Sequence, residues 1–492
     1  MRIRLNFADA SALTRVIRKT LVASSILFLT GCAVGPKYVA PTNHLEPFHN
    51  SVPDVSDSGK APQLDTWWTG FDDPMLVTIV ERALNQNLDL AAAIARVQQA
   101  RAAAKAAGAQ LLPTVDLNAA IATERQSAVG PLGSVAAPLP GFERNYQEYT
   151  LGTAASWEID VAGGLRRGAT AAREEFQAAQ ALHAGTRVSI AAEAADTYLQ
   201  VRAAQARLAV ASEMIDTDSH LLSLIQIRFK AGVGTDREVA QAQALLLDAR
   251  TTVPTLRIEL EAQLNRLDVL MGMQPGTYAA ELSKPGRVPS IPAIEATQPV
   301  EMLRRRPDII AAERQLAASN ERIGVAISDY YPKVSLSGVL GLDTIAAGDL
   351  FTERAFQPAA IGGLRWRLFD FGKINAEVAQ ARGGYAEALA DYRLSVLKAT
   401  EDVENALMTL SQTQARLREL QDEVAALTRA RDLSQQAYEA GAIPLTDVLD
   451  ADRQLLIARD QLETTRADAA RAAVRTFRSF GAGWNSASIR GI

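Results

Sequence analysis

The sequence predicts an α+β membrane fold built from one unit used twice, each unit being two β-strands and a long helical hairpin. Three observations carry the prediction. The stretch Arg228–Ala242 returns 209 residues later as Ala437–Ala451, keeping Ala231/Ala440, Gly232/Gly441, Val239/Val448 and Ala242/Ala451 in register. A repeat of this length is domain-sized, not a solenoid. Four runs alternate apolar and polar residues, which is the period of half-buried strands. Between strand pairs, Ile190, Ala194, Thr197, Val201, Ala204, Leu208, Ala211 and Ile215 follow strict 4-3 spacing. That spacing implies helices in a left-handed supercoil, closely approached at the small residues.

Composition narrows the class further. Of 492 residues 48% are apolar, but only 6% are aromatic, which favours packed Ala-rich helices over a bulky core. Net charge is −5 with no basic stripe and interleaved aromatics, so nucleic acid is not an expected partner. The single Cys excludes an internal disulfide and a Cys-type zinc site. The four His (His44, His49, His183, His220) lack ligand-like spacing and are expected to be solvated. No metal and no cofactor is expected.

Taken in order, residues 1–31 form a signal peptide. Arg2, Arg4, Arg15, Arg18 and Lys19 make its basic region, and Thr20–Leu29 an apolar stretch too short to span a membrane. Leu29-Thr30-Gly31-Cys32 resembles the lipobox of bacterial lipoproteins, which makes Cys32 the expected lipidation site and the first mature residue. The mature chain has 461 residues and a net charge of −9. Ala33 follows the Cys, with no Asp to signal inner-membrane retention, so sorting to the outer membrane is expected by resemblance. Residues 32–75 read as a lipidated linker, Pro-rich in its first half and ending in Trp67-Trp68-Thr-Gly-Phe71-Asp-Asp-Pro74.

That ending, together with Gly31-Cys-Ala-Val-Gly-Pro-Lys-Tyr-Val-Ala-Pro41, resembles the start of lipidated outer-membrane efflux channels, the TolC-like outer membrane factors of the OprM, CusC and NodT type. The resemblance extends through both repeats. It implies a channel of a tripartite efflux system, a passive exit duct for small molecules driven by an inner-membrane pump, of RND type.

Residues 76–274 and 300–481 are the two repeats, separated by the Pro-rich linker 275–299 and followed by the tail 482–492. In each, a helix closes at a Pro (Pro113, Pro332) that opens an alternating run. Pro307 suits the first turn of its helix, where a missing N–H costs little. Strands are expected at about 113–126 and 148–160, then at about 332–344 and 358–370. Val115, Leu117, Ala119 and Ile121 oppose Asp116 and Asn118; Leu336, Leu340 and Leu342 oppose Ser335, Ser337 and Asp343. Lipid-facing and lumen-facing residues must alternate in this way in a membrane barrel, whose strands need ~10 residues. Trp157 and Trp366 suit interfacial positions.

Four strands cannot close a barrel, and open sheet edges are not tolerated in lipid. Two chains would supply eight strands and three would supply twelve. The resemblance selects the homotrimer, with a 12-stranded β-barrel continuous with a periplasmic α-helical barrel. The helix from Leu165 to Lys230 would extend about 100 Å at 1.5 Å per residue.

The hairpin turns, at about 229–237 and 438–446, are where function is expected. Asp447 and Asp450 share a helix face just past Gly441, and Arg453 can pair with Asp450. Rings of carboxylates select cations, and Arg cross-links can hold a pore end shut. The run Tyr438…Gly441…Asp447-Val-Leu-Asp450-Ala-Asp-Arg453 resembles the family's gate, which implies Asp447, Asp450, Arg453 and Tyr438 as gate residues. One departure is Ile443, where some channels of the family carry an Arg. The turns, with Arg228, Gly232, Gly234 and Gly441, are the expected docking surface for a periplasmic adapter (membrane fusion) protein.

The competing reading is a lipid-anchored periplasmic coiled coil without a pore, which would have no use for amphipathic strands. No nucleophile elbow, phosphate loop or metal-ligand motif argues for an enzyme. The Met and His residues do not cluster as a copper path would require, which leans the cargo towards organic compounds.

Overall fold

The computed structural model describes residues 33–42, 46–50, 62–136, 138–294 and 299–485. Cys32, the expected lipidation site, and the expected signal peptide lie outside the described residues. Seven longer helices and four strands occur in the order α1 (Pro74–Gln86), α2 (Leu88–Ala109), β1 (Thr114–Arg125), β2 (Asn145–Ile159), α3 (Gly164–Lys230), α4 (Asp236–Leu270), α5 (Pro307–Ser328), β3 (Lys333–Thr344), β4 (Phe356–Arg365), α6 (Lys373–Glu439) and α7 (Leu445–Ser479). The duplication is visible in the lengths. Helices α3 and α6 each have 67 residues, and α4 and α7 each have 35. Among the described residues no helix is long and apolar enough to cross a membrane.

The chain divides into two compact units. One comprises residues up to Ala40, Ala100–Phe176 and Arg314–Ala390; the other comprises Pro41–Gln99, Gln177–Glu313 and Asp391–Ile492.

The first unit holds one antiparallel sheet of order β1-β2-β3-β4, so the pairing of β2 with β3 joins the two repeats. Directly opposed residues share a face. Leu117 lies opposite Thr153, which lies opposite Leu340; Trp157 lies opposite Leu336, and Val334 opposite Leu364. The apolar sets of the strands therefore merge into one face across the sheet. It remains uncovered: Val115, Leu117, Ile121, Leu340 and Leu364 are all more than 60% exposed. The opposite face carries Asp116, Asn118, Thr150, Glu158, Ser335, Ser337 and Asp343. Within one chain β1 and β4 are unpaired edges.

The fourth strand is shorter than its sequence predicts. It ends at Arg365, opposite Lys333, because β3 has no residue beyond Lys333 to offer. Trp366 and Leu368, expected in the alternation, lie past the strand. The Trp366 indole N–H donates to the Tyr330 carbonyl at 2.9 Å, and that of Trp157 donates to the Leu111 carbonyl at 2.9 Å. Each Trp thus satisfies a carbonyl just past the end of the helix that precedes its strand pair, the same device in both repeats.

The segment 33–40 is seated in this unit. The Arg167 guanidinium donates to the carbonyls of Val34 and Gly35, both at 3.2 Å, and to Glu321 at 2.8 and 2.9 Å. Asn320 Nδ2 donates to the Pro36 carbonyl at 3.2 Å, and Val34 N–H donates to the Ala162 carbonyl at 3.0 Å.

The second unit has the aromatic core. Trp67, Trp68 and Phe71 are buried, and Trp67 stacks on Phe477 at 5.3 Å between centroids. Asp73 caps α1 by accepting from the Met75 and Leu76 amides, and its other oxygen accepts from the Tyr198 hydroxyl at 2.7 Å. Asn87 caps α2 through the Asp89 and Leu90 amides while donating to the Leu270 carbonyl. His183 is buried, against the expectation of solvation, because Ala-rich α3 packs on most of its faces there. Burial, and then Arg187, lower its pKa. His49 and His220 are exposed, as expected, and His44 lies outside the described residues.

Candidate functional site at the helical turns

Both hairpin turns are closed by the same backbone device. At the end of α3 the Val233 amide donates to the Arg228 carbonyl at 3.0 Å and the Gly232 amide to that of Phe229 at 2.9 Å. At the end of α6 the Ala442 amide donates to the Ala437 carbonyl at 2.8 Å and the Gly441 amide to that of Tyr438 at 2.9 Å. This paired pattern needs a left-handed residue, and Gly232 and Gly441 have φ of +76° and +74°. The two repeats differ in how the return helix starts. Thr235 and Glu238 form a reciprocal capping box on α4, whereas α7 follows Pro444 with no side-chain cap.

A small apolar cluster ties the turns to each other. Ile225, Ala242, Tyr438, Leu445 and Val448 are buried in it, with Leu221, Leu222, Val239, Ile443 and Leu449 packed against them. Ile443 therefore serves the core of the tip. The Arg228 guanidinium lies over the Tyr438 ring, 4.7 Å from its centroid, so the basic end of one turn grips the aromatic of the other. Burial raises the Tyr438 phenol's pKa against the lowering effect of Arg228, so it is a neutral group at the tip.

The charged residues face outward. Asp447 is exposed and accepts from the Thr446 hydroxyl at 3.4 Å. Asp450 and Arg453 are 3.5 Å apart one helical turn from each other, with more than half of each side chain exposed, and Asp450 also accepts from Gln454 at 2.7 Å. They border a groove of about 420 Å³ between α4 and α7, lined also by Gln241, Leu245, Asp248 and Leu449. Gly232 and Gly441 have open space around them, while a side chain at Gly234 would press on the Phe229 amide. Among the described residues no group of three or more His, Cys, Asp or Glu could hold a metal ion.

The sequence reading missed the carboxylates buried between the helices behind the tip, Asp218 on α3 and Asp452 on α7, and the half-buried Arg431 of α6 beside Asp452. The signal was present. Asp218 occupies the next position of the 4-3 stripe after Ile215, and Asp452 sits between Val448 and Leu455 in the same spacing.

The profile of the family described as outer membrane efflux protein matches residues 79–273 and 299–482. The chain belongs to that family. Among its relatives, the pyoverdine export outer membrane protein OpmQ of Pseudomonas aeruginosa is 33% identical, over 87% of this chain and 89% of that protein. Nodulation protein T of Rhizobium leguminosarum bv. trifolii is 29% identical, over 95% and 97%. The solved structure of the outer-membrane channel OprN superposes with a TM-score of 0.83 at 32% identity, covering 92% of this chain and all of that one. This efflux protein thus has the fold class read from its sequence, a duplicated strand-pair and helical-hairpin unit of a family in which a trimer forms the barrel and its periplasmic helical part. It is an outer-membrane exit duct for efflux, in a family of channels rather than enzymes, whose members work with adapter proteins and inner-membrane pumps.

Proposed function

We propose that this efflux protein works as a homotrimer anchored through lipid on Cys32, and that its helical turns are both the gate of the duct and the docking surface of a periplasmic adapter. The pump behind the adapter is of RND type, and the cargo is a class of small organic compounds. One observation carries the gate. Asp447, Asp450 and Arg453 present their charges outward immediately beyond a turn closed at Gly441 and braced by the Arg228–Tyr438 contact. In a three-fold assembly each such charge recurs three times about the axis, where carboxylates favour cations and ion pairs tie the end shut. The groove between α4 and α7, with Gly232 and Gly441 at its end of the hairpins, supports adapter docking. The unpaired edges β1 and β4 and the uncovered apolar face support barrel closure by further copies. The clamp of Arg167 on the backbone of Val34 and Gly35 supports an anchor at Cys32, just ahead of it.

The test of the gate is single-channel recording of the D450A/R453A variant beside the wild type. Higher conductance or more frequent opening in the variant is expected, and identical currents would remove both residues from the gate. Intact mass tests the anchor: the expected species begins at Cys32 and carries acyl chains, and an unmodified mature chain would refute it. Adapter pull-down with Gly232 and Gly441 replaced by bulky residues tests docking, and unaffected capture would argue against it.

A further inference from the structure

Asp218 is 1% exposed, and neither of its carboxylate oxygens has a hydrogen-bond partner. A carboxylate left so in an apolar interior is strongly disfavoured in its charged form. The helices around it decide what compensates it. On α7, Asp452 is 3% exposed. Its Oδ1 lies 3.3 Å from Arg431 Nε on α6, without the alignment of a hydrogen bond. Arg431 is itself shared, with Asp432 at 3.2 Å and the Gln435 side chain at 3.4 Å. Helix α4 buries Ala242, Leu246 and Ala249 and exposes its charges, Asp248 and Arg250. On α3 itself, Asp216 and His220 are exposed, and Glu213 is taken by Arg459 of α7 at 2.9 Å. Among the described residues Asp218 is therefore left without a cation of its own, and the one guanidinium beside Asp452 already serves a further carboxylate.

We propose that Asp218 and Asp452 form a proton-operated latch behind the turns: with Asp218 neutral the four helices stay packed, and with Asp218 charged the two carboxylates repel and the tip loosens. The latch rests on the reading of the turns as the closing end of the duct. It works through positions that neither line the groove nor belong to the outward-facing gate charges.

The direction follows from burial. Burial first, and Asp452 second, push the Asp218 carboxyl up to about 6, and burial likewise raises Asp452 against the pull of Arg431. The packed tip thus binds a proton that a loosened, solvated tip releases at an ordinary carboxylate pKa. Acid favours the packed state, and that advantage is lost as pH rises through about 6. Between about pH 5 and pH 7.5 the ratio of packed to loosened tip should fall about tenfold for each chain.

The experiment is hydrogen exchange of amides in 221–242 and 437–455 in the purified, membrane-reconstituted protein, at about pH 5 and 7.5, corrected for intrinsic exchange rates. In the wild type, protection there should drop about tenfold at the higher pH while the Trp67–Phe71 core is unchanged. D218N, which has the shape of the protonated acid, should keep the acid-state protection at both values. A flat wild-type profile overturns the latch without any variant having to fold. A D218N protein that still responds like the wild type overturns it too. Conductance recorded over the same pH range separates the two readings. Protection that responds to pH while D450A/R453A leaves conductance unchanged keeps the latch and removes Asp450 and Arg453 from the gate. Raised conductance in D450A/R453A with protection flat keeps the gate and removes the latch.

Discussion

Replacing Arg167 by Ala should loosen the seating of the segment 33–42 more than any exposed ion-pair change nearby. Arg167 and Glu321 are about 10% exposed at their side chains and 2.8 Å apart, and Arg167 also satisfies the carbonyls of Val34 and Gly35. The variant leaves Glu321 charged and buried without its cation, a loss of about 3–5 kcal/mol for a broken buried pair. Two backbone acceptors are orphaned as well, at about 1–3 kcal/mol each where water cannot reach them. Arg322 and Glu175, an ion pair on the same two helices with roughly half of each side chain exposed, supply the control. R322A should cost at most about 1 kcal/mol, since surface pairs are screened. The assay is thermal unfolding of the detergent-purified protein together with protease cleavage within residues 33–42. R167A should lower Tm clearly and expose the segment, R322A should do neither, and R167L/E321L should recover much of the loss by removing both charges. Equal effects of R167A and R322A would refute the clamp.

Three further outcomes follow from the turns and the buried His. Tyr438→Ala should destabilise the tip by about 3–5 kcal/mol as a buried aromatic truncation, and Arg228→Ala by about 0.5–2 kcal/mol for the lost cation–π contact; exchange protection of residues 437–450 reads both. Gly441→Ala and Gly232→Ala should each cost about 1–2 kcal/mol from the left-handed backbone alone, with Asn tolerated better than Ala at either site, as measured by thermal unfolding. His183 has a folded-state pKa below its ordinary value, so its neutral burial contributes stability above the ordinary value that is lost as pH falls through the folded one; H183L should flatten that acid-side decline in Tm, and an unchanged slope would show that His183 is not its source.

Much of this molecule is legible in its sequence, because the rules that shape it are local. The Gly232 and Gly441 turns announced themselves since a helix end needs a left-handed residue, and both copies carry Gly at that place. The strands were legible from their period, and the register of Leu117, Thr153, Leu340 and Pro358 carries the predicted apolar face across all four. The end of β4 was not legible, because alternation continues through Trp366 and Leu368 while the partner strand does not. The burial of His183 depends on which helices pack on α3, and composition says nothing of that. Asp218 and Asp452 were overlooked for a different reason. Charges in long helices are ordinarily solvated, and only their place on the 4-3 stripe marked them as interior.

The most direct test of the account is single-channel recording of the purified wild-type protein in a planar bilayer. Discrete, cation-preferring steps are expected from a barrel closed by several copies and gated by the acidic tip. Silence from both the wild type and D450A/R453A would contradict the pore and favour a lipid-anchored coiled coil.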